Sequence, residues 1–294
     1  YSPKGKLLTT TKWELGEVIS NTEEHQVVEE KIEYYDNAKI KSIGNYNSKG
    51  NPVGIFRKYT PEGNISESMI YVDGFLMGVG GVVDEAGVKH GDWIEYYESG
   101  ELRCKGQYKE GKRVEKWIYY HPNGKIEQKG QYRNDGRTTG EWTWYYNNGN
   151  IERKENFKKG KEEGYFIEYC DTGKVISKGN FLDGLKEGLW YNYVGDHKEE
   201  GKYISGLQTG IWNHYYDNNK LRFQGNYIDN EPDGKHIYYY RTGNKMLQGE
   251  YIMGKKEGEW KRYNEFNEIV FTIEYYNGEE IKIDGIKIKD VEIE

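Results

Sequence analysis

The sequence predicts an all-β protein: an elongated, solenoid-like single antiparallel sheet of tandem β-hairpins, each repeat about 24 residues long. Three observations predict this class. An aromatic anchor recurs at a nearly constant spacing, turn dipeptides stand at fixed places between the anchors, and the chain holds 38 Gly and 29 Tyr but only 5 Pro. Glycine supplies the turns, and the scarcity of proline leaves the strands uninterrupted.

The anchor of most repeats is Gly-x-Trp followed by Tyr three residues later, as in Gly91-Asp92-Trp93 with Tyr96. Phe56 takes the Trp position in an earlier copy. The later anchors are Trp93, Trp117, Trp142, Phe166, Trp190, Trp212, His236 and Trp260, at spacings of 24, 25, 24, 24, 22, 24 and 24 residues. Spacings this regular indicate a tandem repeat rather than scattered aromatic residues.

A second signature trails each anchor. An aliphatic residue comes nine residues later, usually a glycine at thirteen, and an aromatic residue at fifteen, as in Leu102, Gly106 and Tyr108 after Trp93. Side chains alternate between the two faces of a strand. The anchor, the aliphatic and the trailing aromatic residue therefore share one face of the predicted sheet.

Turn signals lie between the two halves of each repeat, for example Asn123-Gly124, and between repeats, for example Asp183-Gly184. Asn-Gly between alternating segments predicts a hairpin with a two-residue loop. Counting from that loop places Trp117 opposite Gly130, and the equivalent count places Tyr108 opposite Gly91. We therefore expect both rings to face a glycine across the ladder, which leaves room for a ring over the neighbouring backbone.

The predicted organisation has three parts. Residues 1–30 form an N-terminal cap or irregular segment. Residues 31–278 form the hairpin repeats, with a worn copy near 31–55 and a truncated copy near 78–90. Residues 279–294 form a C-terminal capping hairpin around Asp284-Gly285, a turn-forming dipeptide.

The Gly-x-Trp-x-x-Tyr, Asn-Gly and Gly-x-Tyr signatures resemble MORN repeats. The length of 24 residues and the segment Tyr145-Tyr146-Asn147-Asn148-Gly149 are more similar to the bacterial MORN-variant repeat. The resemblance covers roughly residues 31–278 and implies a scaffold or accessory binding module. Some proteins of that family are catalogued as antitoxins, so the resemblance also implies an antitoxin-like role. It implies no catalytic residues.

The residues themselves indicate no enzyme, no cofactor and no metal site. None of the six histidines has a paired metal-ligand spacing such as His-x-x-x-His, and no nucleophile elbow occurs. The net charge of -7, with basic residues interspersed among acidic ones, argues against binding to nucleic acid or to an anionic membrane.

The leading functional prediction is a non-enzymatic scaffold that binds another protein, in an antitoxin-like role or in a cell-envelope assembly. The alternative is a carbohydrate-binding module, with a glycan stacked on exposed Trp and Tyr rings. Because the chain begins at Tyr1 rather than Met, an extracytoplasmic location is favoured over a cytoplasmic one. The candidate binding face, which is mainly structural, consists of Trp93, Trp117, Trp142, Trp190, Trp212, Trp260, Tyr108, Tyr132, Tyr227 and Tyr251.

Overall fold

The structure is a computed structural model that describes residues 12–14, 17–20 and 29–288. Within these residues every regular element is a β-strand, and each paired strand runs antiparallel to its partner. The predicted all-β class of tandem antiparallel hairpins is therefore confirmed. No described segment is a helix long and apolar enough to span a membrane.

The chain divides into two compact units, residues 1–149 and 150–294. The strands of the first unit are β1 Lys12–Glu14, β2 Glu17–Ser20, β3 Glu29–Tyr34, β4 Ile40–Tyr46, β5 Pro52–Tyr59, β6 Ile65–Val72, β7 Phe75–Val83, β8 Lys89–Tyr96, β9 Leu102–Lys109, β10 Lys112–Tyr120, β11 Ile126–Tyr132 and β12 Thr138–Tyr145. The strands of the second unit are β13 Ile151–Lys158, β14 Lys161–Tyr169, β15 Val175–Leu182, β16 Leu185–Val194, β17 His197–Ile204, β18 Leu207–Tyr215, β19 Leu221–Ile228, β20 Glu231–Tyr239, β21 Lys245–Ile252, β22 Lys255–Tyr263, β23 Ile269–Tyr276, β24 Glu279–Ile283 and β25 Ile286–Lys287.

Strands that follow one another in sequence pair with one another in each unit. In the first unit β1 pairs with β2, and β3 to β12 form one consecutive ladder. In the second unit β13 to β25 do the same. Each strand thus contacts mainly its two neighbours, as expected of a repeat protein.

The turn within a repeat differs from the prediction. The His121 N–H donates to Lys125 O at 2.8 Å and the Gly124 N–H to His121 O at 2.8 Å, which closes a three-residue loop rather than a two-residue one. Gly124 has φ 79°, the left-handed conformation that ends such a loop. A bulge next to Tyr120 then shifts the register by one residue in the opposite direction. The two differences cancel, so Trp117 pairs with Gly130 as predicted.

The turn between repeats lies at the predicted dipeptide and has two residues. Leu182 pairs with Leu185 across Asp183 and Gly184, whose φ values are 52° and 86°. Two positive φ values match the right-handed twist of the flanking strands.

The turns of adjacent repeats are also tied together by the second tyrosine of the Tyr-Tyr-x-x-Gly segment. The Tyr97 hydroxyl donates to the carbonyl of Tyr120, one repeat later, at 2.8 Å. The hydroxyl of Tyr240 makes the same bond to Tyr263 O at 2.7 Å. Hydrogen bonds between repeats fix the spacing of the turns, which explains why this tyrosine recurs in the sequence.

Three segments depart from the regular repeat. The truncated copy contributes one strand, β7, between β6 and β8. At the C-terminal end β24 pairs with β25 across Asp284 and Gly285. The predicted cap or irregular segment over residues 1–30 lies mostly outside the described residues, which there show only the β1–β2 pair and the start of β3.

Candidate functional site

The anchor tryptophans cover glycines, but not the glycines that the sequence predicts. The ring of Trp117 lies over Gly106 of the preceding strand, so that a Cβ added to Gly106 would overlap the indole. Gly130, which pairs with Trp117, is covered instead by the next anchor, Trp142. The prediction that a ring covers the glycine of its own hairpin is therefore wrong, because each ring reaches back to the repeat before it.

A bulge directs the ring to the earlier repeat. Lys178 pairs with Tyr191 and Asn180 pairs with Glu187, so three residues, Gly188 to Trp190, stand opposite the single Gly179. Gly188 has φ 71°, and a Cβ there would meet nothing within 4 Å. The glycine of Gly-x-Trp is thus favoured for its conformation within the bulge. The prediction that it makes room for a tyrosine ring is wrong.

In most tryptophan copies the residue after the covered glycine has a carbonyl that accepts from the indole. The Trp190 Nε1–H donates to Asn180 O at 3.0 Å, and the Trp260 Nε1–H donates to Glu250 O at 3.2 Å. Trp212 is different, because its buried Nε1 has no hydrogen-bond partner. One ring therefore both fills the space above the glycine and satisfies a backbone acceptor of the earlier repeat in most copies.

The anchors and the trailing aromatics form a ladder of edge-to-face contacts. Tyr108 and Trp117 have ring centroids 5.0 Å apart at an interplanar angle of 82°, and Trp117 and Tyr132 follow at 6.4 Å and 87°. In the second unit Phe181 contacts Trp190 at 5.0 Å and 77°. Edge-to-face pairs of this kind contribute about 0.5–1.5 kcal/mol each beyond burial.

A cation four residues before several anchors covers this ladder, a feature that the sequence pattern did not predict. The Lys186 Nζ stands 4.3 Å from the Trp190 ring and 5.1 Å from Tyr203. Lys256 stands 4.6 Å from Trp260. Lysine or arginine at this fixed distance from the anchor was visible in the sequence, but alternation alone does not show which ring a long side chain covers.

The six anchor tryptophans are buried, with relative exposures of 0% to 2%. The predicted tyrosines Tyr108, Tyr132, Tyr227 and Tyr251 are half-buried. The indoles therefore offer no open ring face on which a sugar could stack. The candidate binding face remains a prediction for its tyrosines alone. We call the face of the sheet that carries the anchor rings the inner face.

The inner face also holds a buried carboxylate. Glu95 accepts from Lys89 Nζ at 2.7 Å, from the Tyr108 hydroxyl at 2.9 Å and from Arg103 at 2.9 Å. Burial raises the pKa of Glu95, but Lys89, Tyr108 and Arg103 together outweigh burial and lower that pKa to about 2. Burial and the charge of Glu95 in turn raise the pKa of Tyr108 to about 12. With these three hydrogen-bond donors in place, the carboxylate of Glu95 supports the packing of the aromatic ladder.

Apolar side chains are exposed on the opposite, outer face of the second unit. Leu182 and Leu185 pair across the turn between repeats, and Leu189 lies four residues further along the same strand as Leu185. The next repeat has the same arrangement with different residues. We call these six residues the outer patch: Leu182 at 53% exposure, Leu185 at 50%, Leu189 at 77%, Ile204 at 42%, Leu207 at 38% and Ile211 at 59%.

The equivalent positions of one repeat in the first unit are charged. In the Trp117 repeat they are Lys109, Lys112 and Lys116, all exposed, and Lys109 pairs with Lys112 as Leu182 does with Leu185. A lysine at these positions is therefore compatible with the fold. The leucines and isoleucines of the outer patch are not needed to form the repeat.

The outer patch borders an open groove of about 510 Å³. Leu189 and Ile211 line it together with Tyr165, while Lys178 and Glu200 add charges of both signs. The groove floor includes Gly179 and Gly201, the glycines whose other side is covered by the anchor rings. The groove offers a concave, partly apolar surface on which a ligand can bind.

One cluster of metal-ligating side chains occurs among the described residues. His197, Glu199 and His214 each offer a donor atom, and these atoms lie within 4.8 Å of one another. The spacings of the histidines along the chain predict no metal site, whereas these three residues meet across two strands. Glu199 pairs directly with His214.

Tandem antiparallel hairpins, most of them burying an aromatic ring over a glycine of the repeat before, define a β-hairpin repeat protein. Four segments, residues 89–110, 116–134, 138–159 and 208–229, match the family described as MORN repeat variant. These four segments are MORN-type repeats, and they support a MORN-repeat family for the chain. A protein-interaction or scaffold role is consistent with such repeats. No curated protein matches the sequence.

Several solved structures show weak similarity. The GtfA/B complex bound to UDP and GlcNAc is 13% identical with a TM-score of 0.15, covering 43% of this chain and 22% of that chain. TcdB2-TccC3 is 10% identical with a TM-score of 0.14, covering 85% and 15%. The Photorhabdus luminescens Tc holotoxin pore is 10% identical with a TM-score of 0.16, covering 88% and 17%. The chain spans less than a quarter of each, and similarities at these TM-scores do not bear on its function.

Proposed function

We propose that the chain is a non-enzymatic interaction module that binds another protein through the outer patch. The observation that supports this is the exposure of six leucines and isoleucines at positions where the Trp117 repeat carries lysine. Exposed apolar surface is unfavourable in water, so a contiguous patch of it indicates a surface that is covered by a partner.

The pattern of the outer patch specifies the chemistry of the partner. Leu182, Leu185 and Leu189 belong to one repeat, and Ile204, Leu207 and Ile211 belong to the next. Two such rows lie two strands apart, or about 10 Å at the usual strand spacing. The proposed occupant is a protein segment whose aliphatic side chains fill the space between these rows.

An antitoxin-like role and a place in a cell-envelope assembly are two forms of this proposal. They differ in the identity of the bound protein, a toxin in the first case and an envelope component in the second. Neither form involves catalysis by this chain.

The experiment compares three immobilised proteins in extracts of the source cells, followed by mass spectrometry and binding assays with the purified partner. These are the natural chain, a Leu182→Lys/Leu185→Lys/Leu189→Lys variant and a Lys109→Glu/Lys112→Glu/Lys116→Glu control. The first variant copies residues that the Trp117 repeat already carries, so we expect it to fold. The control changes the same positions in the other unit.

We expect one protein to bind the natural chain and the control equally, and to bind the leucine variant at least about tenfold more weakly, a loss of about 1.4 kcal/mol. Equal capture by all three proteins, or capture of nothing, would overturn the proposal. If sedimentation shows that the natural chain self-associates and that the leucine variant does not, the patch joins copies of this chain and the proposed partner is wrong.

A further inference from the structure

The His197 cluster lies where the repeat pattern is broken. The Trp190 repeat is two residues shorter than its neighbours, and its strands β16 and β17 are joined by the two-residue turn Gly195-Asp196. His197 consequently occupies the position that other repeats give to an aliphatic residue such as Ile126 or Val175. A histidine at this position is not required by the fold.

The three side chains converge on the inner face. His197 and Glu199 are two residues apart on β17 and so point to the same side, while Glu199 pairs with His214 on β18. The His197 Nε2 stands 2.8 Å from Glu199 Oε1, and the His214 Nε2 stands 3.8 Å from the same oxygen. The two imidazole rings are 5.3 Å apart between centroids.

These distances suit a transition-metal ion. Two imidazole nitrogens and one carboxylate oxygen form a donor set that zinc uses, with bonds of about 2.0–2.2 Å and tetrahedral geometry. Donor atoms in such a shell are about 3.3 Å apart. The observed 2.8 and 3.8 Å bracket that value, so small side-chain rotations would bring all three donors onto one ion.

The outer hydrogen bonds are also those of a metal site. The His197 Nδ1 lies 3.1 Å from Asp196 Oδ1, and Asp196 accepts from Arg222 at 2.9 Å. A ligating histidine commonly donates its other ring N–H to a carboxylate, which fixes the tautomer and the ring orientation. The two-residue turn that shortens the repeat thus also places the carboxylate that would orient His197.

The cluster is open enough to admit an ion. The side-chain exposures are 16% for His197, 21% for Glu199 and 24% for His214. Phe223 borders the cluster, with its ring centroid 4.8 Å from that of His214. Three protein donors leave at least one coordination position, which water or a side chain of another molecule can fill.

We propose that His197, Glu199 and His214 bind a divalent transition-metal ion of the zinc class, coordinated through His197 Nε2, His214 Nε2 and a Glu199 oxygen. The ion would join β17 to β18, the strands on either side of the turn between two repeats. This site is on the inner face, and its residues are separate from those of the outer patch. It can therefore be tested independently of the proposed function.

The experiment titrates Co²⁺ into the metal-free full chain, produced without a polyhistidine tag. Visible absorption reports Co²⁺ coordination, and Zn²⁺ then competes for the site. The ligand variants are His197→Gln, Glu199→Gln and His214→Gln. The matched control is His90→Gln, since His90 also stands beside a carboxylate, Asp84 at 3.1 Å, but has no second histidine. Circular dichroism and Trp fluorescence check the fold of each variant.

We expect one equivalent of Co²⁺ to bind with an intense tetrahedral-type spectrum, and Zn²⁺ to displace it and raise the melting temperature. Each ligand variant should weaken binding at least about tenfold, the smallest loss seen even when a hydrogen-bond partner of a ligand is removed. His90→Gln should bind like the natural chain. Asp196→Asn, at an exposed position, should fold normally and bind about 10–100-fold more weakly.

Two results would overturn the proposal. The first is that the natural chain binds neither ion at one equivalent. The second is that binding persists unchanged in the ligand variants that fold and in Asp196→Asn, which would place the ion elsewhere.

Discussion

The indole of Trp190 covers the backbone of Gly179 so closely that a single added methyl group at Gly179 would overlap the ring. Gly179 belongs to β15 and Trp190 to β16, so this contact joins one repeat to the next rather than the two halves of one repeat. The same relationship between Trp212 and Gly201, and between Trp260 and Gly249, makes the aromatic ladder a chain of links between repeats.

The first prediction concerns that contact. Gly179→Ala should destabilise the protein by about 1–3 kcal/mol, because the ring and the backbone must separate to admit the methyl group. Gly78→Ala is the control, since a Cβ there would lie 3.4 Å from the nearest atom and the backbone φ is not positive. Urea unfolding followed by Trp fluorescence measures both variants. An equal loss of unfolding free energy in Gly179→Ala and Gly78→Ala would contradict the close contact at Gly179.

The second prediction concerns the indole hydrogen bond. Trp190→Phe loses the bond from Nε1–H to Asn180 O, whereas Trp212→Phe removes a buried N–H that has no partner. A buried unsatisfied donor costs about 1–3 kcal/mol. Trp190→Phe should therefore reduce the free energy of unfolding by more than Trp212→Phe does. If chemical denaturation showed the larger loss of unfolding free energy for Trp212→Phe, the carbonyl of Asn180 would not be a significant acceptor.

The third prediction concerns Glu115, which occupies the position of the glycine in Gly-x-Trp. Its φ is 57°, in the left-handed region that costs a residue with a Cβ about 1–2 kcal/mol. Glu115→Gly should stabilise the protein by about 0.5–1 kcal/mol after the greater flexibility of glycine in the unfolded chain is subtracted. Glu141 is also exposed but has no positive φ, so Glu141→Gly should destabilise. Shifts of the urea midpoint at constant slope measure both changes.

The fourth prediction concerns pH. The pKa of Glu95 is lowered from 4.5 to about 2, so its contribution to stability is complete above about pH 4.5 and is lost as the pH falls towards about 2. Glu95→Gln should lower the melting temperature at pH 7 and flatten its dependence on pH between these values. The measurement is calorimetry at a series of pH values.

Glu155 provides the control for that experiment. Burial raises its pKa, with nearby Arg153 acting in the opposite direction. A raised carboxyl pKa means that the charged form is disfavoured in the folded state, so Glu155→Gln should leave stability at pH 7 unchanged or increased. If Glu95→Gln and Glu155→Gln reduced stability at pH 7 equally, the ion pairs of Glu95 would not explain the effect of Glu95→Gln.

Much of the fold followed from the sequence because hairpin pairing is local. The spacing of the anchors gave the repeat, and Asn123-Gly124 located a turn whose register placed Trp117 opposite Gly130. That register was correct although the loop has three residues, because the bulge beside Tyr120 compensates for the extra residue. The extra loop residue and the bulge each shift the register by one residue in opposite directions. Counting from the turn therefore gives the correct pairing without revealing either of them.

The candidate sites followed less well because they depend on pairing between repeats. Counting back from the turn at Ser205 and Gly206 would place Glu199 opposite Trp212. The bulge at Gly210 shifts the register by two residues, so Glu199 pairs with His214 instead. The same count would place His214 opposite His197, so the shift decides which residue of the cluster His214 pairs with. The exposure of Leu189 and Ile211 likewise required knowing which side chains the inner face covers.

The sequence by itself determined the all-β class, the 24-residue repeat and the pairing within each hairpin, since these depend on alternation and on turn residues that act over short distances. Only the tertiary structure decided which neighbour each tryptophan covers and which polar groups meet beside it. The physical reason is the positive-φ bulge before each anchor, which displaces one strand against the next and turns the ring back over the glycine of the preceding repeat.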